Sequence, residues 1–109
     1  TTEAAAMVRA VDHPNFRMML DVKSMCAEGR PLPEIIREFC PLAEHVHAND
    51  ANRRGPGFGD TDFRAIAAAL RECGYQGYVS VEVFVYSPDP ETIARGSLQT
   101  LREAFGENS

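Results

Sequence analysis

Three side chains that commonly bind metal ions come at similar places in the pattern of the chain. Asp21 follows an apolar run, His47 closes a short alternating run, and Glu82 comes near the end of a β-branched and aromatic run. Two carboxylates and an imidazole suit a hard or borderline divalent cation such as Mn²⁺, Mg²⁺ or Co²⁺, with Zn²⁺ as a further option. The residue types therefore predict a metal site, provided that the fold brings the three together.

The apolar periodicity predicts four helices and three strands in alternation. In chain order these are a helix over 2–11, a strand over 16–22, a helix over 34–40, a strand over 43–49, a helix over 63–72, a strand over 78–84 and a helix over 91–105. Residues 23–33 are predicted to be a loop with room for one helical turn. Thr61 or Asp62 is predicted to cap the third helix, and Gly74 to follow its end.

The alternation indicates parallel β/α units, which form an α/β fold. The middle of the run 16–22 is continuously apolar, which is typical of a strand covered on both faces. In parallel β/α architectures the active site lies at the carboxyl ends of the strands. Neighbouring strands are about 5 Å apart, so Asp21, His47 and Glu82 at adjacent strand ends would converge on one ion.

The stretch after the second strand is polar and rich in glycine, so it predicts a loop. By itself such a stretch indicates only a solvated connection, and its position beside the three ligands is what favours a functional loop. His45 shares a strand face with His47 and is interpreted as a packing or supporting histidine.

Length and composition limit the function classes. The chain has 109 residues, which predicts one domain over 1–109, and a formal net charge of −5, which argues against nucleic-acid binding. No apolar run is long enough to span a membrane, and the N-terminal residues do not form a signal-peptide pattern. The three cysteines, Cys26, Cys40 and Cys73, are an odd number without C-x-x-C spacing and are predicted to be free thiols in the cytoplasm.

Several blocks together resemble the C-terminal part of the xylose-isomerase-like superfamily of sugar isomerases and epimerases, which are divalent-metal TIM barrels. The resemblance runs from about His13 to Phe105. Its blocks are His13-Pro14-Asn15, Met19-Leu20-Asp21, His45-Val46-His47-Ala48-Asn49-Asp50 with Asn52-Arg53, Pro56-Gly57-Phe58-Gly59-Asp60-Thr61-Asp62-Phe63, Gly74-Tyr75-Gln76-Gly77-Tyr78 and Ser80-Val81-Glu82. The three predicted strands would correspond to strands 6–8 of the (β/α)8 barrel, so the chain would be a partial barrel.

The resemblance implies a role for each of four residues. Asp21, His47 and Glu82 would bind the metal, and Glu82 would also act as an acid/base on the carbon next to the substrate carbonyl. Arg53 would hold substrate oxygens. The implied reaction is isomerisation or epimerisation of an α-hydroxy ketone or aldehyde through an enediolate, with a small sugar as substrate.

Two departures from the family pattern keep alternatives open. Family members often carry a histidine three residues after the aspartate, where this chain has Ser24. The family's remaining ligand is a glutamate on an earlier strand, so we expect a homo-oligomer or a separate N-terminal part of the barrel, and little activity from this chain alone. The alternatives are a non-catalytic, self-associating fragment, or an AP endonuclease-like phosphodiesterase suggested by His47-Ala48-Asn49-Asp50. That second class needs further histidines, whereas the chain has 3.

Overall fold

A computed structural model describes residues 1–106, which form five α-helices and three β-strands. The elements are α1 (Thr2–Val11), β1 (Met18–Asp21), α2 (Val22–Cys26), α3 (Leu32–Phe39), β2 (Ala43–Ala48), α4 (Phe63–Glu72), β3 (Tyr78–Val81) and α5 (Pro90–Phe105), with a 3₁₀ turn at Cys40–Leu42 before β2. The domain predicted over 1–109 includes residues 107–109, which lie outside the described residues.

The three strands form one open sheet in the order β1-β2-β3, and both strand pairs are parallel. Each strand is followed by a helix, which is the arrangement of β/α units. The predicted α/β class is therefore confirmed, and the open parallel sheet is consistent with part of a TIM barrel.

The core lies between one face of the sheet and the helices. Leu20 and Val46 project from this face and are buried among side chains of α3 and α4 such as Ile36 and Ile66. Full burial of each such side chain contributes about 1.5–3 kcal/mol. Alternate strand residues face the other way and are open, since Met19 is 43% exposed. The expectation that the first strand is covered on both faces is therefore wrong for this chain.

The first strand ends earlier than predicted because Asp21 caps a helix. Its Oδ1 accepts a hydrogen bond of 2.9 Å from the backbone N–H of Ser24, and α2 starts at Val22. Val22 is therefore helical, and α2 is the short helical segment for which the loop predicted over 23–33 had room. A carboxylate at this position satisfies backbone donors that the first helical turn leaves free.

The third strand also ends earlier than predicted. The N–H of Glu82 still donates to the carbonyl of Ala48, at 3.2 Å, but the N–H groups of Phe84 and Val85 both turn to the carbonyl of Arg53. The predicted strand 78–84 thus stops at Val81, and the segment after it is tied to the β2–α4 loop instead.

The predicted ends of α4 are confirmed. Asp62 is the N-cap, and its Oδ1 accepts hydrogen bonds from the N–H groups of Arg64 and Ala65. Gly74 follows the C-cap with φ of 73°, a left-handed conformation that glycine adopts without steric cost.

Two of the three cysteines are joined, which corrects the prediction of free thiols. Cys40 and Cys73 form a disulfide between residues whose Cα atoms are 6.5 Å apart, and Cys26 is free. The error arose because cysteines 33 positions apart in sequence meet only in the folded chain. No helix within residues 1–106 is long and apolar enough to cross a membrane.

Candidate metal centre

Asp21, His47 and Glu82 meet at the carboxyl edge of the sheet. Each offers one ligand atom, and these atoms lie within 4.8 Å of one another. The structure thus brings together the three residues that the sequence singled out.

The strand register explains the convergence. Asp21 is the direct partner of His47 on the neighbouring strand, and His47 is the partner of Ser80. Glu82 comes two residues after Ser80, so its side chain points to the same face of the sheet. Three consecutive parallel strands therefore deliver their side chains to one point.

The imidazole of His47 lies between the two carboxylates. Its Nδ1 is 3.3 Å from Oε1 of Glu82 and 3.7 Å from Oδ2 of Asp21. Within residues 1–106 this buried nitrogen has no hydrogen-bond partner. A buried polar atom without a partner is costly, so a ligand-binding role would account for its position.

The spacing fits one divalent ion. Bonds of about 2.2 Å place donors on opposite sides of an ion about 4.4 Å apart. Both distances from His47 Nδ1 fall inside that limit, and the largest separation in the group exceeds it by a few tenths of an ångström at most. The donor set carries two carboxylates, which a cation would neutralise.

The two carboxylates differ in their surroundings. Asp21 is 15% exposed, and both of its oxygens lie near donors: Oδ1 accepts from Ser24, and Oδ2 lies 3.3 Å from Nδ2 of Asn49. Glu82 is 42% exposed, and its side chain accepts no hydrogen bond within residues 1–106. Asp21 is thus held in place, whereas Glu82 is accessible from solvent.

Arg53 is in the adjacent loop, and no hydrogen bond or ion pair within residues 1–106 joins its side chain to Asp21, His47 or Glu82. Its side chain is exposed and makes no hydrogen bond or ion pair within the described residues. Its backbone φ of 71° is left-handed, which is strained for a residue with a Cβ. The carbonyl of Arg53 accepts from Phe84 and Val85, so the loop that carries the guanidinium is fixed beside the segment that follows Glu82.

Arg54 has the opposite environment. Its guanidinium carbon lies 5.1 Å from the ring centroid of Phe58, and its Nη2 donates to the carbonyl of Ser87, at 2.5 Å. These contacts give Arg54 a structural role in the loop, whereas the guanidinium of Arg53 makes no hydrogen bond or ion pair within residues 1–106.

His45 comes two residues before His47 on β2 and lies on the same open face of the sheet. Its ring is edge-on to that of His47, with centroids 5.3 Å apart, and its Nε2 is hydrogen-bonded to the hydroxyl of Ser80. The contacts agree with the interpretation of His45 as a packing and supporting residue.

Two buried polar residues after β2 were not assigned roles from the sequence. Asn49 is fully buried, and Asp50 is nearly so. Oδ2 of Asp50 accepts from the N–H of Thr61, and Oδ1 accepts from that of Ala51, so this carboxylate organises the β2–α4 loop. The sequence feature that could have indicated their burial is the position of Asn49 and Asp50 directly after a buried strand. Other polar residues of the same types follow in the loop, so the two could not be told apart from solvated residues.

The fold and the site define a class: parallel β/α units with carboxylate and imidazole side chains at the strand ends, as in metal-dependent TIM barrels. The model of the xylose isomerase-like TIM barrel family matches residues 1–104. The chain belongs to this family.

Sequence relatives include sugar epimerases. The chain is 39% identical over 83 residues to the D-psicose 3-epimerase of Agrobacterium fabrum, covering 76% of this chain and 29% of that protein. It is 35% identical over 91 residues to the 3-dehydro-D-guloside 4-epimerase of Escherichia coli, covering 84% of this chain and 35% of that protein. The chain thus spans about a third of the length of these relatives.

Comparison with solved structures also finds a sugar epimerase. A D-psicose 3-epimerase crystallised in the presence of D-fructose superposes with a TM-score of 0.85 at 30% identity, covering 95% of this chain and 43% of that one. The likeness therefore extends over nearly all of this chain.

Proposed function

We propose that this chain forms part of a divalent-metal-dependent isomerase or epimerase that acts on a sugar with a carbonyl next to a hydroxyl group. The observation that carries the proposal is the buried Nδ1 of His47, which has no hydrogen-bond partner within residues 1–106 and lies within 3.7 Å of the carboxylates of Asp21 and Glu82. The epimerase relatives support the reaction class.

Asp21, His47 and Glu82 would hold the ion. A bound divalent cation polarises a carbonyl and an adjacent hydroxyl and stabilises negative charge on their oxygens. Mn²⁺, Mg²⁺ or Co²⁺ suits the donor set best, and Zn²⁺ is compatible with it.

Glu82 is proposed to be the acid/base. Its carboxylate is the more exposed of the two, and no hydrogen bond within the described residues occupies its oxygens. One oxygen can therefore face the ion while the other removes the proton from the carbon next to the carbonyl. Protonation at the opposite face, by a second acid, gives the epimer, and return of the proton from Glu82 to the neighbouring carbon gives the isomer.

Arg53 is proposed to bind substrate oxygens. Its guanidinium has no protein partner within residues 1–106, and its strained backbone is fixed beside the segment after Glu82. Strained residues are concentrated at ligand-binding positions, where the surrounding structure maintains them. A guanidinium offers several donors in one plane, which suits the neighbouring hydroxyl groups of a sugar.

Metal titration tests the centre directly. Calorimetric titration with Mn²⁺ should show one site in the wild-type chain, and Asp21→Ala or His47→Ala should remove it. His13→Ala is the matched control, because His13 is exposed and hydrogen-bonds only locally, to the N–H of Asn15. Equal binding by His47→Ala and wild type would exclude this site.

The reaction is tested by solvent exchange. In the protein that contains this chain, Mn²⁺ and a ketohexose in D₂O should give deuterium at the carbon beside the carbonyl, and Glu82→Gln should abolish that exchange. Metal binding without exchange would favour the non-catalytic alternative.

A further inference from the structure

Asn49 is the fully buried polar residue beside the metal centre, at 0% exposure. It directly follows β2, and its side-chain amide lies between two groups of the β1–α2 junction. Oδ1 accepts a hydrogen bond of 2.7 Å from the N–H of Lys23, and Nδ2 lies 3.3 Å from Oδ2 of Asp21. A buried amide with both ends paired is a specific structural arrangement rather than a solvated loop residue.

We propose that Asn49 is a positioning residue, which fixes the carboxylate of Asp21 toward the ion and thereby sets the affinity for the metal. This inference rests on the proposed metal centre of Asp21, His47 and Glu82. Asn49 itself does not bind the ion.

The orientation of the amide follows from its partners. The backbone N–H of Lys23 can only donate, so the oxygen of Asn49 faces it. The NH₂ group then faces Asp21, whose ionised carboxylate can only accept. The reversed orientation of the amide would satisfy neither contact.

The contact with Asn49 determines how the carboxylate plane of Asp21 is oriented. The N–H of Ser24 binds one oxygen of that carboxylate, which leaves the plane of the group free to turn about that bond. A second donor, from Asn49, fixes the plane and leaves the remaining lone pairs of Oδ2 directed at the site. Groups that orient metal ligands in this way typically change metal affinity by about 10–100-fold when they are removed.

Few other residues could fill this position. An aspartate would bring a second carboxylate to about 3.3 Å from that of Asp21, and like charges at that distance repel strongly. An alanine would leave the N–H of Lys23 without its side-chain acceptor. The amide of asparagine carries an acceptor and a donor on two separate atoms of one short side chain, so it can face both partners at once.

The test compares Asn49→Ala with Asn52→Ala by calorimetric titration with Mn²⁺. Asn52 is a matched control, because its side chain also makes two hydrogen bonds, but with the backbone groups of Phe58 and Arg54 and not with Asp21. We expect Kd to rise about 10–100-fold for Asn49→Ala and to stay at the wild-type value for Asn52→Ala. Titrations are made well below the unfolding midpoint of each variant, so that lost stability does not lower the apparent affinity.

A second measurement on the wild-type chain covers the case in which Asn49→Ala does not fold. Titration with the diamagnetic ion Mg²⁺, followed by ¹⁵N NMR, should shift the side-chain amide signals of Asn49 and leave those of Asn52 in place. Unmoved Asn49 signals at saturating Mg²⁺ would overturn the proposal. So would an unchanged Kd in a folded Asn49→Ala chain.

The titrations distinguish a wrong metal centre from a wrong role for Asn49. If the wild-type chain and Asp21→Ala bind Mn²⁺ equally, the centre itself is wrong. If Asp21→Ala loses the metal while Asn49→Ala binds it like wild type, the centre stands and only the role of Asn49 is wrong.

Discussion

The ring of Phe58 lies directly against the backbone of α5 at Gly96. A Cβ on Gly96 would lie 2.6 Å from Cζ of that ring, a distance that real Cβ atoms do not reach. Gly55 and Gly57 approach α5 just as closely, at Ser97 and Thr100. The β2–α4 loop, which carries the proposed substrate arginine, is therefore seated on α5 through positions that lack side chains.

Gly96→Ala should destabilise the chain, although alanine is the better helix former. Alanine in a helix gains about 1 kcal/mol over glycine, but overpacking costs about 1–3 kcal/mol when a neighbour must move. The expected result is a lower thermal midpoint by circular dichroism. The same substitution in a Phe58→Ala background should instead raise the midpoint, because the obstruction is gone. A rise in both backgrounds would contradict the close contact.

The two neighbouring arginines should respond differently to substitution. Arg53→Gly should weaken substrate binding in the protein that contains this chain, yet relieve about 1 kcal/mol of left-handed backbone strain. Arg54→Ala should lower stability instead, because it removes the contacts with Phe58 and Ser87. KM and urea midpoints measured on both variants separate the effects. Loss of stability in Arg53→Gly would contradict the assignment.

Removal of the disulfide should lower stability markedly. A cross-link between residues 33 positions apart contributes about 3–4 kcal/mol in the chain-entropy description. Cys73→Ser should therefore unfold at a lower urea concentration than wild type, and dithiothreitol should bring wild type down to the same midpoint. Cys26→Ser is the control, since Cys26 is free. Three reactive thiols in the unreduced native chain would show that the bond is absent.

The carboxyl group of Asp89 should make the free energy of unfolding depend on pH in the acid range. The backbone N–H of Thr92, and then its hydroxyl, donate to Asp89 at the start of α5 and lower the pKa of its carboxyl group. A lowered folded-state pKa gives stability that is present above the unfolded value of about 3.9 and is lost as the pH falls through the folded value. Wild type should exceed Asp89→Asn in urea midpoint at pH 7, and the difference should shrink toward pH 2.

Asp60→Asn is the control for that comparison, because Asp60 is exposed and its side chain makes no hydrogen bond within residues 1–106. A pH-independent difference between wild type and Asp89→Asn would mean that the cap does not require the charge.

Periodicity was sufficient to predict the order of the main elements, but side-chain contacts decided where they end. Helix α4 was predicted with its bounds, because Asp62 and Gly74 are local signals that act on the adjacent backbone. The first strand was predicted too long, since an apolar run does not reveal that Asp21 turns back to cap a helix. The disulfide was missed because its two cysteines meet only through tertiary packing.

The convergence of Asp21, His47 and Glu82 was predictable because parallel strands align their carboxyl ends. The burial of Asn49 was not, since an asparagine among loop residues has the same local signature whether it is solvated or enclosed. The choice of Arg53 over Arg54 came from the resemblance and not from the pattern, because the contacts of Arg54 with Phe58 and Ser87 form only in the folded chain.

The disulfide and the proposed metal centre lie toward opposite ends of the same sheet. Cys40 lies in the turn that leads into β2 and Cys73 follows α4, five residues before β3 begins, whereas His47 is near the far end of β2. A strand of six residues is about 20 Å long, so mutations at one end leave the other end nearly untouched. Stability and the proposed metal centre can therefore change independently: substitutions can strengthen the disulfide end of the sheet and leave the end that carries Asp21, His47 and Glu82 as it is.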